Sequence, residues 1–351
     1  MLAVLKHRTY RHLFLAQVIA LVGTGLATVA LGLLAYEIAG ADAGAVLGTA
    51  LAIKMVAYIG VAPVVGAYAD RLPRKGLLVA MDLLRAAVAL TLPFVDAVWQ
   101  VYLLIFLLQS ASAAFTPTFQ ATIPDILPDE EEYTRALSLS RLAYDLESLL
   151  SPILAAALLT VISFHWLFAG TSVGFAISAL LVVTAALPHR KAAAAIVESG
   201  WRNTTRGARI YLKTPRLLGL LAVTLTAAAG SAMVIVNTVV IVKGMGRSQG
   251  DVALALAAYG GGSMGAALAL PRVLQHIADR TVMLTGAVIL TVTLGALAGL
   301  ALDWPYLLAG WLVMGIGYSL CVTPGGRLLR RSSSEADRPA LFAAQFALSH
   351  V

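Results

Sequence analysis

The chain has 351 residues, of which 60% are hydrophobic and 12% charged, with a mean hydropathy of +0.86. Soluble domains carry about 45–50% apolar and about 25% charged residues, so this composition excludes a soluble fold. The single Cys321 and six scattered histidines exclude a disulfide framework and supply too few ligands for a zinc cluster; no metal site or cofactor is expected.

A helix needs about 20 apolar residues to cross a hydrocarbon core of about 30 Å. Charge-poor runs of that length are predicted at 12–36, 45–68, 76–95, 99–120, 140–161, 165–187, 217–242, 251–271, 281–302 and 304–326. The first run has no charged residue from Leu13 to Tyr36, too long for the core of a cleavable signal peptide. If the ten spans alternate, 21 of the 25 Lys and Arg fall in loops on one side, and the opposite loops hold only Lys243 and Arg247. The positive-inside rule then puts the N-terminus in the cytoplasm and the chain in the inner cell membrane. The net charge of +7 is explained by these short loops, so anionic lipid and not nucleic acid is the expected partner. The link at 188–216 contains WRNTTRGARIYLK, Trp201 to Lys213, which reads as an amphipathic interfacial helix.

Two markers recur along the chain. Thr116-Pro117 closes the fourth span and Thr323-Pro324 the tenth; Asp70-Arg71 follows the second and Asp279-Arg280 the eighth. A shift of 207 residues lays the first four spans over spans seven to ten. The expected organisation is a six-helix half at 1–187, a linker at 188–216, and a second, incomplete half at 217–351. The same shift makes Pro339 to Val351 the start of an eleventh span, and the expected chain is a piece of a twelve-span protein. In a bilayer, helix-terminal carbonyls need partners, and a helix ending midway would lack them.

The loop after span two reads Gly66-Ala67-Tyr68-Ala69-Asp70-Arg71-Leu72-Pro73-Arg74-Lys75. It resembles the G-x-x-x-D-R-x-G-R-[RK] signature of the major facilitator superfamily, with Pro73 in place of the second glycine. The resemblance implies an all-α membrane fold of two pseudo-symmetric six-helix halves, acting as a secondary transporter by alternating access. It also implies a gating role for Gly66, Asp70, Arg71, Arg74 and Lys75, with Asp70 meeting the N-terminus of span eleven. Drug/proton antiporters of the family carry an Arg in span four before a Gln-Gly pair. Here Gln109-Ser110 stands at that pair and Phe106 at the Arg position. Glu147, Ser151-Pro152 and Ala155-Ala156 occupy the positions of the family's glycine run in span five. The stretch from Phe115 to Ser140 is similar to the enterobactin-exporter and nickel-resistance branch, which implies efflux of a metal ion or of a small metabolite or drug.

Charges inside spans are costly, at least about 2.5–3.5 kcal/mol each at a helix centre, and therefore informative. Asp82 and Arg85 are spaced i, i+3, and Arg141 and Asp145 i, i+4, so each pair can neutralise itself on one helix face. Lys54 and Glu147 show no oppositely charged residue one turn away in the sequence and are candidate coupling groups for proton antiport. Lys54 has Tyr58 one turn on; it could also snorkel outward, as Glu147 could reach the interface. Gln17, Thr24, Thr28, Gln109 and Asn237 are candidate cavity residues, although interhelical hydrogen bonds would explain them equally. Gly260, Gly261, Gly262 and Gly265 read as a close helix contact through the Gly261–Gly265 spacing. No nucleophile–base pair suggests an enzyme. A small-molecule or ion substrate and the bilayer are the expected partners of a monomer; a multidrug or siderophore exporter, a receptor and an inactive fragment are the alternatives.

Overall fold

A computed structural model describes residues 2–68, 72–188, 204–299 and 303–350. Every regular element among them is helical. The first seven are α1 (Arg8–Ala39), α2 (Ala43–Tyr68), α3 (Arg74–Thr91), α4 (Val98–Ile126), α5 (Glu130–Leu159), α6 (His165–Thr184) and α7 (Arg206–Lys213). The remaining six are α8 (Pro215–Gly244), α9 (Gln249–His276), α10 (Asp279–Gly299), α11 (Trp304–Val322), α12 (Gly325–Arg331) and α13 (Arg338–Leu348). Among the described residues, nine stretches are long and apolar enough to cross a membrane. The first of these, Arg8–Tyr68, spans 61 residues and holds both α1 and α2. Gly40, at φ +52°, ends α1, and the two helices pack on each other.

Several helices outrun the apolar runs expected from sequence, α1, α4, α5 and α9 among them. α4 continues to Ile126, and α5 begins at Glu130, ten residues before the expected apolar run, with polar residues in its first turns. The Asp129 carboxylate accepts the Glu132 N–H at 2.9 Å, and three glutamates fill the first turn, where the helix dipole favours them. Prolines inside α2, α4, α5 and α9 do not end these helices, as packed membrane helices allow.

The helices group into two compact units. One holds Leu2–Pro128, Leu150–Thr214 and Ser333–Val351; the other holds Asp129–Leu149 and Pro215–Ser332. α5 is thus divided between them. In the first unit α1 and α3 pack on α6, and α2 on α4, around Leu26, Ala30, Leu34, Ile105 and Phe168. The Thr171 hydroxyl crosses from α6 to donate to the Gly23 carbonyl of α1 at 2.8 Å. In the second unit α9 and α11 approach backbone to backbone. A Cβ on Gly262 would stand 2.0 Å from the Leu312 oxygen, and one on Gly315 would stand 1.9 Å from the Tyr259 oxygen. The expected close contact of α9 therefore runs through Gly262, while Gly261 and Gly265 face open space. Outward faces are apolar: Leu150, Ile153, Leu180, Ile235, Val236, Val240, Val288 and Val292 are all exposed, as lipid contact requires.

Candidate functional site

The sequence motif at the end of α2 leads into a built seat for α13. Gly66 faces α13 so closely that a Cβ there would lie 2.4 Å from the Ala343 Cβ and 3.3 Å from the Pro339 oxygen. Gly207, on α7, grips the same helix; a Cβ would come within 2.2 Å of the Ala340 oxygen. α7 is amphipathic as expected, but its Gly207/Tyr211 face lies on α13, with Tyr211 fully buried. Burial pushes the Tyr211 phenol above its ordinary value, and its O–H donates to the Gln345 side chain. Trp201 to Asn203 lie outside the described residues, as do Asp70 and Arg71 of the gating motif.

Charge closes the seat. Arg74, the first residue of α3, pairs with Asp125 in the last turn of α4 at 2.6 Å. Arg338, the first residue of α13, pairs with the other oxygen of the same carboxylate, and Arg206 pairs with Asp337 at 2.6 Å. Arg74 was legible from the motif. Asp125 and Arg338 were missed, although an acid in a last turn and a base in a first turn both oppose the helix dipole and could have been flagged. Among the gating residues, Gly66 thus packs on α13 and Arg74 shares the Asp125 carboxylate with Arg338 of α13, whereas among the described residues Lys75 makes no ion pair.

The second unit holds a cluster of the same plan. Glu130 opens α5, Asp279 opens α10, and Arg327 and Arg331 lie on α12. Arg327 reaches Glu130 at 2.5 Å and Asp279 at 3.1 Å; Arg331 reaches Asp279 at 2.6 Å and also Glu130. Arg327 further donates to the Thr134 hydroxyl at 3.0 Å, and Gln275 donates to Glu131 at 2.7 Å.

Deeper in each unit sits one of the two intrahelical pairs expected from spacing. Asp82 and Arg85 are buried together. The Ser178 hydroxyl of α6 donates to the free oxygen of Asp82 at 2.8 Å. The Arg85 guanidinium lies between the rings of Phe115 and Phe175, 4.3 and 4.5 Å from their centroids. Asp145 pairs with Arg141 and accepts from Ser263 of α9 at 2.7 Å, while the Arg141 guanidinium lies 4.7 Å from the Tyr318 ring. In each arrangement a guanidinium neutralises the buried carboxylate and a hydroxyl donates to it, while the guanidinium itself lies on aromatic ring faces.

The other candidates spread out. Lys54 lies 5.4 Å from the Tyr58 ring, and the Tyr58 ring also meets the tilted Phe346 ring at 4.7 Å and the edge-on His350 ring at 4.9 Å. Glu147 is half-buried and has a partner of its own. Thr24 and Thr28 are exposed and donate to the Ala20 and Thr24 carbonyls of their own helix, each at 2.9 Å. Asn237 likewise turns back to the Met233 carbonyl at 3.2 Å. Gln17 is buried and Gln109 half-buried. Among the described residues, no group of three His, Cys, Asp or Glu comes together as a metal site.

Helices of this length and apolarity, nine candidate spans among the described residues, define a multi-pass membrane fold. The chain belongs to the major facilitator superfamily: residues 13–277 match the Major Facilitator Superfamily. It is similar to the bacterial homologue of the iron transporter ferroportin in its outward-facing state, with a TM-score of 0.81, 14% identity, and coverage of 97% of this chain and 89% of that one. The human organic anion transporter MFSD10 superposes with a TM-score of 0.77 at 14% identity, covering 98% of this chain and 90% of that one. These family members are transporters and not enzymes. Macrolide efflux protein A of Streptococcus pyogenes is 27% identical over 152 residues, 40% of this chain and 37% of that protein. The MFS-type transporter YfiS of Bacillus subtilis is 27% identical over 120 residues, 34% of this chain and 28% of that protein. The matched stretches thus span 37% and 28% of these two curated relatives.

Proposed function

We propose that this chain is a secondary active exporter that works by alternating access, and that the seat of α13 is its latch. The reading takes ten crossings with a cytoplasmic N-terminus, arranged as halves at 1–187 and 217–351 joined by 188–216. The observation that carries it is the Arg74–Asp125–Arg338 cluster beside Gly66. It ties the last described helix to the loop in which the family's gating motif stands. Its three charges all sit at the helix end where the dipole opposes them, each by about 0.3–1 kcal/mol. Glu130 and Asp279 of the other cluster sit where the dipole favours them. The α13 seat is therefore the weaker tie and the one that releases.

Efflux of an organic solute is supported by the macrolide efflux relatives. The resemblance of Phe115 to Ser140 to the enterobactin and nickel branch supports a siderophore or nickel as the second reading. Proton antiport is the proposed drive, with Lys54 and Glu147 as coupling groups. Proteoliposomes with an imposed pH gradient test it, using labelled erythromycin, a catecholate siderophore and Ni²⁺ in separate arms. Gradient-dependent accumulation of one of them is expected, and Asp125→Asn should reduce it several-fold. Equal accumulation with and without the gradient in all three arms would remove the exporter reading.

A further inference from the structure

In the first unit, four exposed aromatic residues share one end of the helices. Tyr36 stands in the last turn of α1, Phe94 just after α3, and Trp99 and Trp166 in the first turns of α4 and α6. Short turns join α1 to α2, α3 to α4 and α5 to α6 at this end, and successive helices alternate, so it lies opposite the Arg74 end. The aromatics head exposed aliphatic stripes at helical spacing: Trp99 over Leu103, Trp166 over Val173 and Leu180, and Phe94 over Leu90 and Leu83. Tyr10 and Phe119, nearer the opposite end, are buried. Charge is just as one-sided. Glu37, Asp42 and Asp96 are exposed at the aromatic end. No Lys or Arg occurs between Arg11 and Lys54, between Arg85 and Arg135, or between Arg141 and Arg190, and Lys54 lies about three turns into α2.

An exposed ring above an aliphatic stripe sits where head groups begin, with the stripe in hydrocarbon beneath it. Ring faces and carboxylates both attract cations, and an anionic lipid would meet like charge at Glu37, Asp42 and Asp96. We propose that this end is a docking surface for phospholipid whose head group carries an ammonium, as in phosphatidylethanolamine, with the ammonium drawn to Trp99 and Asp96, three residues apart. Trp166 has His165 beside it and no acid, so its ring acts without that help. The inference rests on the orientation proposed above only for its assignment to the outer leaflet.

The test is tryptophan quenching in proteoliposomes of the full chain, made from equal phosphatidylethanolamine and phosphatidylglycerol with one of the two brominated at a time. The signal lost in Trp99→Phe or Trp166→Phe isolates each ring, and Trp311, buried against Thr238, is the unquenched reference. Bromines high in the acyl chain should quench Trp99 and Trp166 more than bromines near its end. Read from that quenching, phosphatidylethanolamine should outnumber phosphatidylglycerol at Trp99 by about two- to fivefold, the range of an exposed cation–ring contact. Asp96→Asn should lower this preference at Trp99 and leave Trp166 as it was. Thermal unfolding checks that each variant is folded; if Asp96→Asn is not, the wild-type contrast between the two lipids decides. Equal quenching by both lipids at Trp99, or stronger quenching by phosphatidylglycerol, would overturn the proposal. So would a maximum with the deep bromines, or an unchanged preference at Trp99 in a folded Asp96→Asn variant. Quenching needs neither gradient nor flux, so its failure leaves the exporter reading standing and the reverse also holds.

Discussion

Asp82 and Arg85 show what a spacing rule reaches. Their i, i+3 positions announce a pair on one helix face, but Ser178 lies 96 residues away and the two phenylalanines come from α4 and α6. Removing one partner of a buried pair costs about 3–5 kcal/mol, because the other charge is left uncompensated; replacing both by apolar residues is often neutral. Asp82→Asn should therefore lower the thermal midpoint markedly, and Asp82→Leu with Arg85→Met should restore it. Gradient-driven flux should survive in the double variant if the pair is structural; restored stability with lost flux would instead give the pair a coupling role. Lys54 and Glu147 mark the limit of sequence reading. A local window sees only i±3 and i±4 neighbours, whereas both side chains find partners in the folded chain, and the Tyr58 ring beside Lys54 meets Phe346 and His350. Thr24 and Thr28 resolve the other way, since a hydroxyl in a membrane helix can satisfy itself on the preceding turn.

At the scale of elements, hydrophobic runs located the helices well because length and lack of charge are properties of each segment alone. Their polar extensions were less legible: α5 starts at Glu130, where caps and dipoles set the end. Amphipathicity likewise indicated a helix near Arg206–Lys213, but the same pattern serves a lipid interface and a protein groove, and only contacts choose between them. Gly66 and Gly207 hold α13 from two sides, so bulk at either should loosen it. Gly66→Leu is expected to weaken the seat by about 1–3 kcal/mol, the cost of overpacking. The check is maleimide labelling of Ala343→Cys, which should speed up several-fold in the Gly66→Leu background. An unchanged rate would mean that α13 does not depend on this contact.

Over the whole molecule, the two charged clusters use the same plan with opposite signs. An acid opens α5 and bases stand on α12; a base opens α13 and an acid ends α4. Reversing a pair should therefore be tolerated where changing one member is not. Arg338→Glu alone should destabilise the chain and lower flux, and adding Asp125→Arg should recover part of both, measured as thermal midpoint and transport rate. No rescue would mean that position-specific contacts outweigh sign. The inversion also bears on biogenesis. A ribosome delivers Glu130 long before Arg327, 197 residues later, so the acidic start of α5 must wait for its partner. Asp125 meets Arg74, 51 residues upstream, once α4 is made, and gains Arg338 only 213 residues downstream. Each cluster thus closes about 200 residues after it opens, and its early charge stays uncompensated by the later helix until then.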